Sequence, residues 1–269
     1  MKKNTLKANN ISVGYGNGNI LDSVNIAIPE NKISVILGSN GSGKSTLLKT
    51  FCRLLQPGEG SITLNDTSLK CMRSKDIAKT IGLLPQTLTA PEGIKVAELV
   101  SRGRFPHRKF MGSLSREDYK AIDSAMCAMN ITDLADRSID ELSGGQRQRV
   151  FIALALAQNT DILFLDEPTT YLDIAYQVEI LDLLKELNRV RKTTIVMVLH
   201  DINLSSKYAD HIFAMKDGHL LTEGTPEEII TEATIRDIYG INSVVIKDPL
   251  SGSPFIIPVS SHDTISVAS

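Results

Sequence analysis

The 269-residue sequence predicts an α/β fold: a parallel sheet carrying helices, preceded by an antiparallel β portion and interrupted by an inserted helical lobe. Three observations predict it. "ISVIL" (33–37) is a short, β-branched, largely apolar run of the kind that fills a strand buried on both faces. "DILFLDE" (161–167) and "TTIVMVLHD" (193–201) repeat that texture, each followed by a helical pattern, at 174–190 and near 203–209. Between Leu88 and Asp140 the pattern changes to helical periods, clearest in "KVAELVSRGR" and "REDYKAIDSAMCAMNI".

Taken in order, residues 5–28 alternate around the glycine-rich "GYGNGN", the mark of antiparallel β structure. The strand at 33–37 feeds a glycine loop and a helix from Lys44 to about Leu55, and "SITLND" and "TIGLLPQ" read as further strands. "ELSGGQRQRV" (141–150) starts a helix with a capping box, Ser143 and Gln146 each satisfying an amide of the first turn. Gly144 and Gly145 sit between them although each glycine costs a helix about 1 kcal/mol relative to alanine. Paired glycines at such a start suggest close approach of an anion to the backbone. "IFAMKDGHLLTE" is a hairpin turning at Asp217-Gly218, and the stretch beyond Tyr239 is a small β appendage. The expected division is an α/β core in two parts, 1–87 and 159–240, a helical subdomain at 88–158, and a β-like tail at 241–269.

Composition narrows the partners. A formal net charge of −2 argues against bulk nucleic-acid binding, which leaves a strongly basic face. Cys52, Cys71 and Cys127 show no paired spacing and read as free thiols of a reducing compartment. The first residues carry lysines without an apolar run behind them, unlike a signal peptide, and "VFIALALAQNT" is too short to span a bilayer. The expected location is the cytoplasm, or its membrane face through a partner.

The chemistry gathers at strand ends. "GSNGSGKST" (38–46) matches the phosphate-loop pattern G-x-x-x-x-G-K-[ST], following a strand and opening a helix as that pattern requires. The loop Gly38, Ser39, Asn40, Gly41, Ser42, Gly43, Lys44, Ser45 and Thr46 would turn consecutive amides and a helix N-terminus towards phosphate oxygens. Lys44 can reach the outer phosphates and Ser45 can ligate Mg²⁺. Asp166, at the end of "ILFLD", suits the magnesium shell, and Glu167 beside it can polarise an attacking water. His200 ends another apolar run; a lone histidine is usually structural, but at a strand end of the same sheet it could donate to the terminal phosphate.

The phosphate loop, "LPQ", "LSGGQ", "FLDEP", "YLD" and "VLHD", in that order, resemble the nucleotide-binding subunit of an ABC transporter, over about residues 5–225. The resemblance implies a P-loop NTPase core of the ABC ATPase type, with ATP as substrate and Mg²⁺ as cofactor. It makes Tyr15 the aromatic stacked on adenine, although a turn tyrosine packed on the core fits the same residue. Gln86 becomes the glutamine that senses Mg²⁺ and the γ-phosphate, so that the metal set is Ser45, Gln86 and Asp166. Asp173 becomes the aspartate that communicates across a dimer, a part compatible with capping the helix at 174–190. Glu167, His200 and Lys44 form the catalytic set, His200 matching the switch histidine. Family members pair head to tail, so Ser143, Gly144, Gly145 and Gln146 would hold nucleotide in trans on a second copy of the chain.

About a hundred residues without sustained heptads separate phosphate loop and signature, which rules out the coiled-coil chromosome-maintenance branch. One cassette, unfused to membrane spans, fits an importer subunit at the cytoplasmic face of the membrane. "SRGRFPH", "DEPTTYLDIAYQVEIL" and "LHDINLSSKYAD" resemble the subunits that power uptake of ferric siderophores, haem and cobalamin. The implied partners are two transmembrane permease subunits and, indirectly, an extracytoplasmic substrate-binding protein. A soluble iron–sulfur assembly ATPase, or an importer of another small solute, is the alternative. Phe105, Arg108 and Phe110 are the expected docking residues for the permease.

Overall fold

Strands that are buried at every position belong inside a sheet covered on both faces, and three such strands form the middle of this protein. The computed structural model describes residues 4–15, 18–108 and 113–260, without the side chain of Tyr15. The chain begins with β1 (Leu6–Tyr15) and β2 (Gly18–Ile28), paired antiparallel, then enters β3 (Ile33–Gly38), where every residue is buried. Helix α1 (Lys44–Phe51) leads to β4 (Glu59–Leu64), β5 (Thr67–Ser68), the short α2 (Ser74–Ala78) and β6 (Ile81–Leu84). The lobe follows: α3 (Val96–Ser101), α4 (Arg116–Ala128) and α5 (Gly144–Ala157). The chain then returns through β7 (Ile162–Asp166), α6 (Ile174–Arg191), β8 (Thr194–Val198), α7 (Ile202–Tyr208), β9 (His211–Lys216) and β10 (His219–Gly224). Helices α8 (Pro226–Ile229) and α9 (Glu232–Tyr239) precede the hairpin β11 (Asn242–Lys247) and β12 (Pro254–Val259).

Two larger sheets result. One has the order β2-β1-β4-β5 and is antiparallel; the other has the order β10-β9-β3-β8-β7-β6, parallel except for β10 at its edge. Helix α1 lies between them: Leu47, Leu48 and Phe51 pack with Leu6, Leu21 and Ile62 on one side and with Ile36 and Phe164 on the other. Phe51 stacks on Phe164 with ring centroids 5.6 Å apart. The opposite face of the parallel sheet shares a continuous core with the lobe, through residues such as Val150, Ile152, Leu165, Leu181 and Met197. Since β3, β8 and β7 are adjacent and parallel, the loops after Gly38, Asp166 and Val198 leave the same edge, where open α/β sheets bind ligands.

Local differences from the sequence expectations have identifiable causes. Helix α1 stops at Phe51 rather than near Leu55, because Arg53 turns into the left-handed region (φ 56°) while the amides of Leu54 and Leu55 both fold back on Lys49 O. β8 ends at Val198, short of His200, and Asp201 caps the next helix by accepting from Leu204 N at 2.8 Å. The turn at Asp217-Gly218 forms as expected, both residues having positive φ (46° and 81°).

In the lobe, "RGRFPH" forms a 3₁₀ turn anchored on both sides of an exposed aromatic. Arg104 is buried, its Nε 2.7 Å from Asp118 Oδ1 and its Nη1 donating to Ala157 O at 2.8 Å. His107 Nε2 lies 2.8 Å from Gln158 O, while Phe105 between them is 78% exposed. Arg108 O accepts from Lys75 Nζ; Phe110 lies outside the described residues. The C-terminal hairpin is tied to α7: Asn203 donates to Ile256 O and accepts from Ile256 N, and Ser206 Oγ donates to Pro254 O. Among the described residues, no helix is long and apolar enough to cross a membrane.

Candidate active site

The loop after β3 takes its shape from its glycines. Gly41 (φ 82°) and Gly43 (φ 95°) occupy a backbone region that side chains disfavour, and Gly43 is the residue from which α1 starts. A Cβ on Gly43 would come within 2.6 Å of Leu21 Cδ2, so β2 closes on this loop from the antiparallel sheet. The Lys44 ammonium folds back into the loop, donating to Gly38 O at 2.9 Å and Ser39 O at 2.8 Å. Burial pulls its pKa below the usual lysine value, while the charges of Glu167 and Asp166 oppose that shift.

Across the sheet edge, Ser45 Oγ donates to Asp166 Oδ1 at 3.0 Å. Burial pushes the Asp166 carboxyl above its ordinary value; the Ser45 bond counters this and neighbouring Glu167 adds to it. Glu167 itself has φ 55°, a conformation that costs a non-glycine residue about 1–3 kcal/mol and tends to mark a functional position. Its carboxylate is held on both oxygens: Oε1 lies 2.7 Å from His200 Nε2, and Oε2 accepts from Thr170 Oγ1 at 2.9 Å. Burial alone would raise the Glu167 pKa, but the bonds from His200 and Thr170, helped by the nearby Gln86 amide, outweigh it and hold the group below the usual carboxylate range.

An open cavity of about 590 Å³ is walled by Asn40, Gly41, Gly43, Lys44, Ser45 and Thr46 of the loop and by Gln86, Glu167 and His200; Asp166 is buried and does not line it. Gly38, Ser39 and Ser42 shape the loop without lining the cavity. Ile20, which sequence reasoning missed, lines it because β2 folds over the loop; no local pattern could have announced that. Thr170 was also missed, although Glu-x-x-Thr in a turn closed by Thr170 N to Glu167 O (3.3 Å) was a readable signal. The Tyr15 side chain lies outside the described residues.

A family profile described as ABC transporter matches residues 21–170. The chain belongs to the ABC transporter family. It is 47% identical over 258 residues to a probable siderophore transport system ATP-binding protein of Bacillus subtilis (strain 168), covering 96% of this chain and 94% of the relative. It is 44% identical over 254 residues to the ferric enterobactin transport ATP-binding protein of Escherichia coli (strain K12), covering 94% of each. Among solved structures, a chain of an ABC transporter in an inward-facing conformation superposes with a TM-score of 0.83 at 27% identity, over 96% of this chain and 99% of that one. A bacterial ABC transporter cassette solved as a dimer superposes with a TM-score of 0.71 at 32% identity, over 82% and 98%.

The ABC signature segment lies apart from the P-loop cavity, whose lining includes none of Ser143, Gly144, Gly145 or Gln146. The capping box forms both ways: Gln146 N donates to Ser143 Oγ at 3.3 Å, and Ser143 N to Gln146 Oε1 at 3.1 Å. Gly144 borders a second cavity, of about 740 Å³, which reaches Gln86, Glu167 and Thr170 from the lobe side. Asp173 caps α6, accepting from Tyr176 N at 3.1 Å, and is exposed outside the P-loop cavity.

Proposed function

We propose that this chain is the ATP-hydrolysing subunit of an importer for ferric siderophores or related metal chelates, working as a head-to-tail pair beneath two permease subunits. The carrying observation is the Glu167 carboxylate, gripped by His200 and Thr170 at the rim of a cavity whose opposite wall is the P-loop. A carboxylate held below its usual pKa range stays ionised and oriented, as needed to align and polarise a water attacking the terminal phosphate.

The other roles follow from position. Lys44 would release the Gly38 and Ser39 carbonyls and turn to the phosphates, gaining the charge partner that its burial lacks. His200 would keep Glu167 aimed and donate to the phosphate oxygen on which charge accumulates. The adjacent Ser45 hydroxyl and Asp166 carboxylate, with the Gln86 amide, are hard oxygen donors that fit Mg²⁺. Bound there, Mg²⁺ would neutralise phosphate charge. The separation of Ser143–Gln146 from the P-loop cavity supports a signature that serves a second copy, and the exposed Phe105 suits a permease contact at the cytoplasmic face of the membrane. The names of the relatives support siderophore iron as cargo.

Two measurements test this reading. Cells carrying only the Glu167→Gln chain should lose uptake of iron-labelled ferric siderophores; unchanged uptake would overturn the importer role. Mixing Lys44→Ala and Ser143→Ala chains should restore one working site per mixed pair, about a quarter of wild-type hydrolysis for random pairing. No recovery would place the whole site within one chain.

A further inference from the structure

The two signature glycines have different surroundings. Around Gly144 an added Cβ would meet nothing nearer than Leu172 Cδ2 at 4.0 Å. Around Gly145 it would lie 2.6 Å from Tyr176 Cδ1, 2.8 Å from Cγ and 3.0 Å from Cε1. Cγ is the root of the ring, so the clash is relieved only by turning the whole side chain or by shifting a helix. Gly145 is buried, and what covers it belongs to its own chain.

The backbone that carries Tyr176 is held in place. The residue sits in the first turn of α6, with its backbone N–H on Asp173 Oδ1. Further along α5 the same two segments are tied twice more: Gln148 Nε2 donates to Pro168 O at 2.7 Å, and Arg149 Nη1 pairs with Glu179 Oε1 at 3.0 Å. Helix α5 is therefore held along the 168–179 segment by three contacts, and the ring is the one nearest Ser143.

We infer that Tyr176 is a positioning residue for the signature: its ring seats on Gly145 and sets where the start of α5, with Ser143 and Gly144, stands. The room that a side chain would need at 145 is taken by Tyr176, whereas at 144 it is open, whichever backbone amides meet the nucleotide. The inference rests on the proposed two-chain site, because Ser143 then contacts nucleotide on the partner copy.

The test is a paired substitution followed by mixing. Gly145→Ala should lower ATP hydrolysis by about tenfold to a hundredfold, the range expected when a binding group moves by about an ångström. Tyr176→Ala, which leaves α5 unseated, should also lower it. Tyr176→Phe should retain wild-type turnover, since ring carbons make the contact. In the double variant Gly145→Ala/Tyr176→Ala, the added methyl has room, and hydrolysis should exceed that of Gly145→Ala alone. A double variant no better than Gly145→Ala would overturn the inference, since the glycine would then answer to a ligand. Thermal melting of each variant separates loss of fold from loss of seating.

Mixing distinguishes a positioning role from general damage. A Tyr176→Ala chain keeps its own P-loop and Glu167, so with Lys44→Ala it should recover as Ser143→Ala does. If Ser143→Ala recovers in that mixture and Tyr176→Ala does not, Tyr176 acts within its own site and the inference falls. If neither recovers, the two-chain reading falls, and the double variant alone decides what Gly145 answers to.

Discussion

His200 Nε2 lies 2.7 Å from Glu167 Oε1, across the ends of two adjacent parallel strands. The second oxygen of Glu167 is taken by Thr170, so His200 is one of two side chains that fix the direction of this carboxylate. His200→Ala should lower steady-state hydrolysis by about a hundredfold while ATP affinity, measured by calorimetry, changes little. Equal losses in both would mean that His200 serves binding rather than turnover.

Glu167→Gln preserves the shape of the side chain and removes its charge. ATP binding should persist and single-turnover hydrolysis should fall by about two to four orders of magnitude, the contribution of a positioned general base. Unchanged phosphate release would remove Glu167 from the chemistry.

Lys44 already spends its ammonium on two carbonyls of its own loop. Lys44→Ala should weaken ATP binding by about tenfold to a hundredfold, the value of charge-assisted hydrogen bonds to phosphate. Calorimetry on the purified chain reads this directly, and wild-type affinity would contradict the assignment.

The buried Arg104–Asp118 pair makes the lobe sensitive to acid. Asp118 is pushed up by burial but pulled further down by Ser115 and Arg104, to about 2 against an ordinary value of 3.8. A carboxyl with a depressed folded-state pKa stabilises fully above the ordinary value and loses that contribution as pH falls towards about 2. Asp118→Ala should cost about 3 kcal/mol at neutral pH, since it leaves a buried guanidinium unpaired, and should flatten the acid limb of the stability curve. Denaturant melts at several pH values measure both effects.

Phe105 is anchored by its neighbours and exposed itself. Phe105→Ala should leave hydrolysis by the isolated chain unchanged and reduce co-purification of a polytopic permease from detergent-solubilised membranes. Full recovery of the permease would move the contact elsewhere on the lobe.

The strand-end chemistry was legible because each motif is local and the parallel strands that carry it are predominantly apolar. Lys44, Ser45, Asp166, Glu167 and His200 needed only the inference that their strands share an edge. What stayed hidden depends on approach between distant segments. Ile20 reaches the P-loop through the folding of one sheet over another, and Tyr176 reaches Gly145 from thirty-one positions along the chain. The glycine pair in "LSGGQ" was visible as a cost, but its two members could not be told apart without the ring that covers one of them. The helix expected to Leu55 was wrong for a similar reason: Arg53, in its turn, donates to Met72 O far along the chain.

The C-terminal hairpin lies wholly beyond residue 170, where the family profile ends. Its second strand is nonetheless bolted to Asn203 and Ser206, three and six positions after His200. In a chimera that exchanged the last segment between relatives, the replaced part would be the bracket on which the segment after His200 is mounted. Swapping it would retune the motor, not merely change its casing.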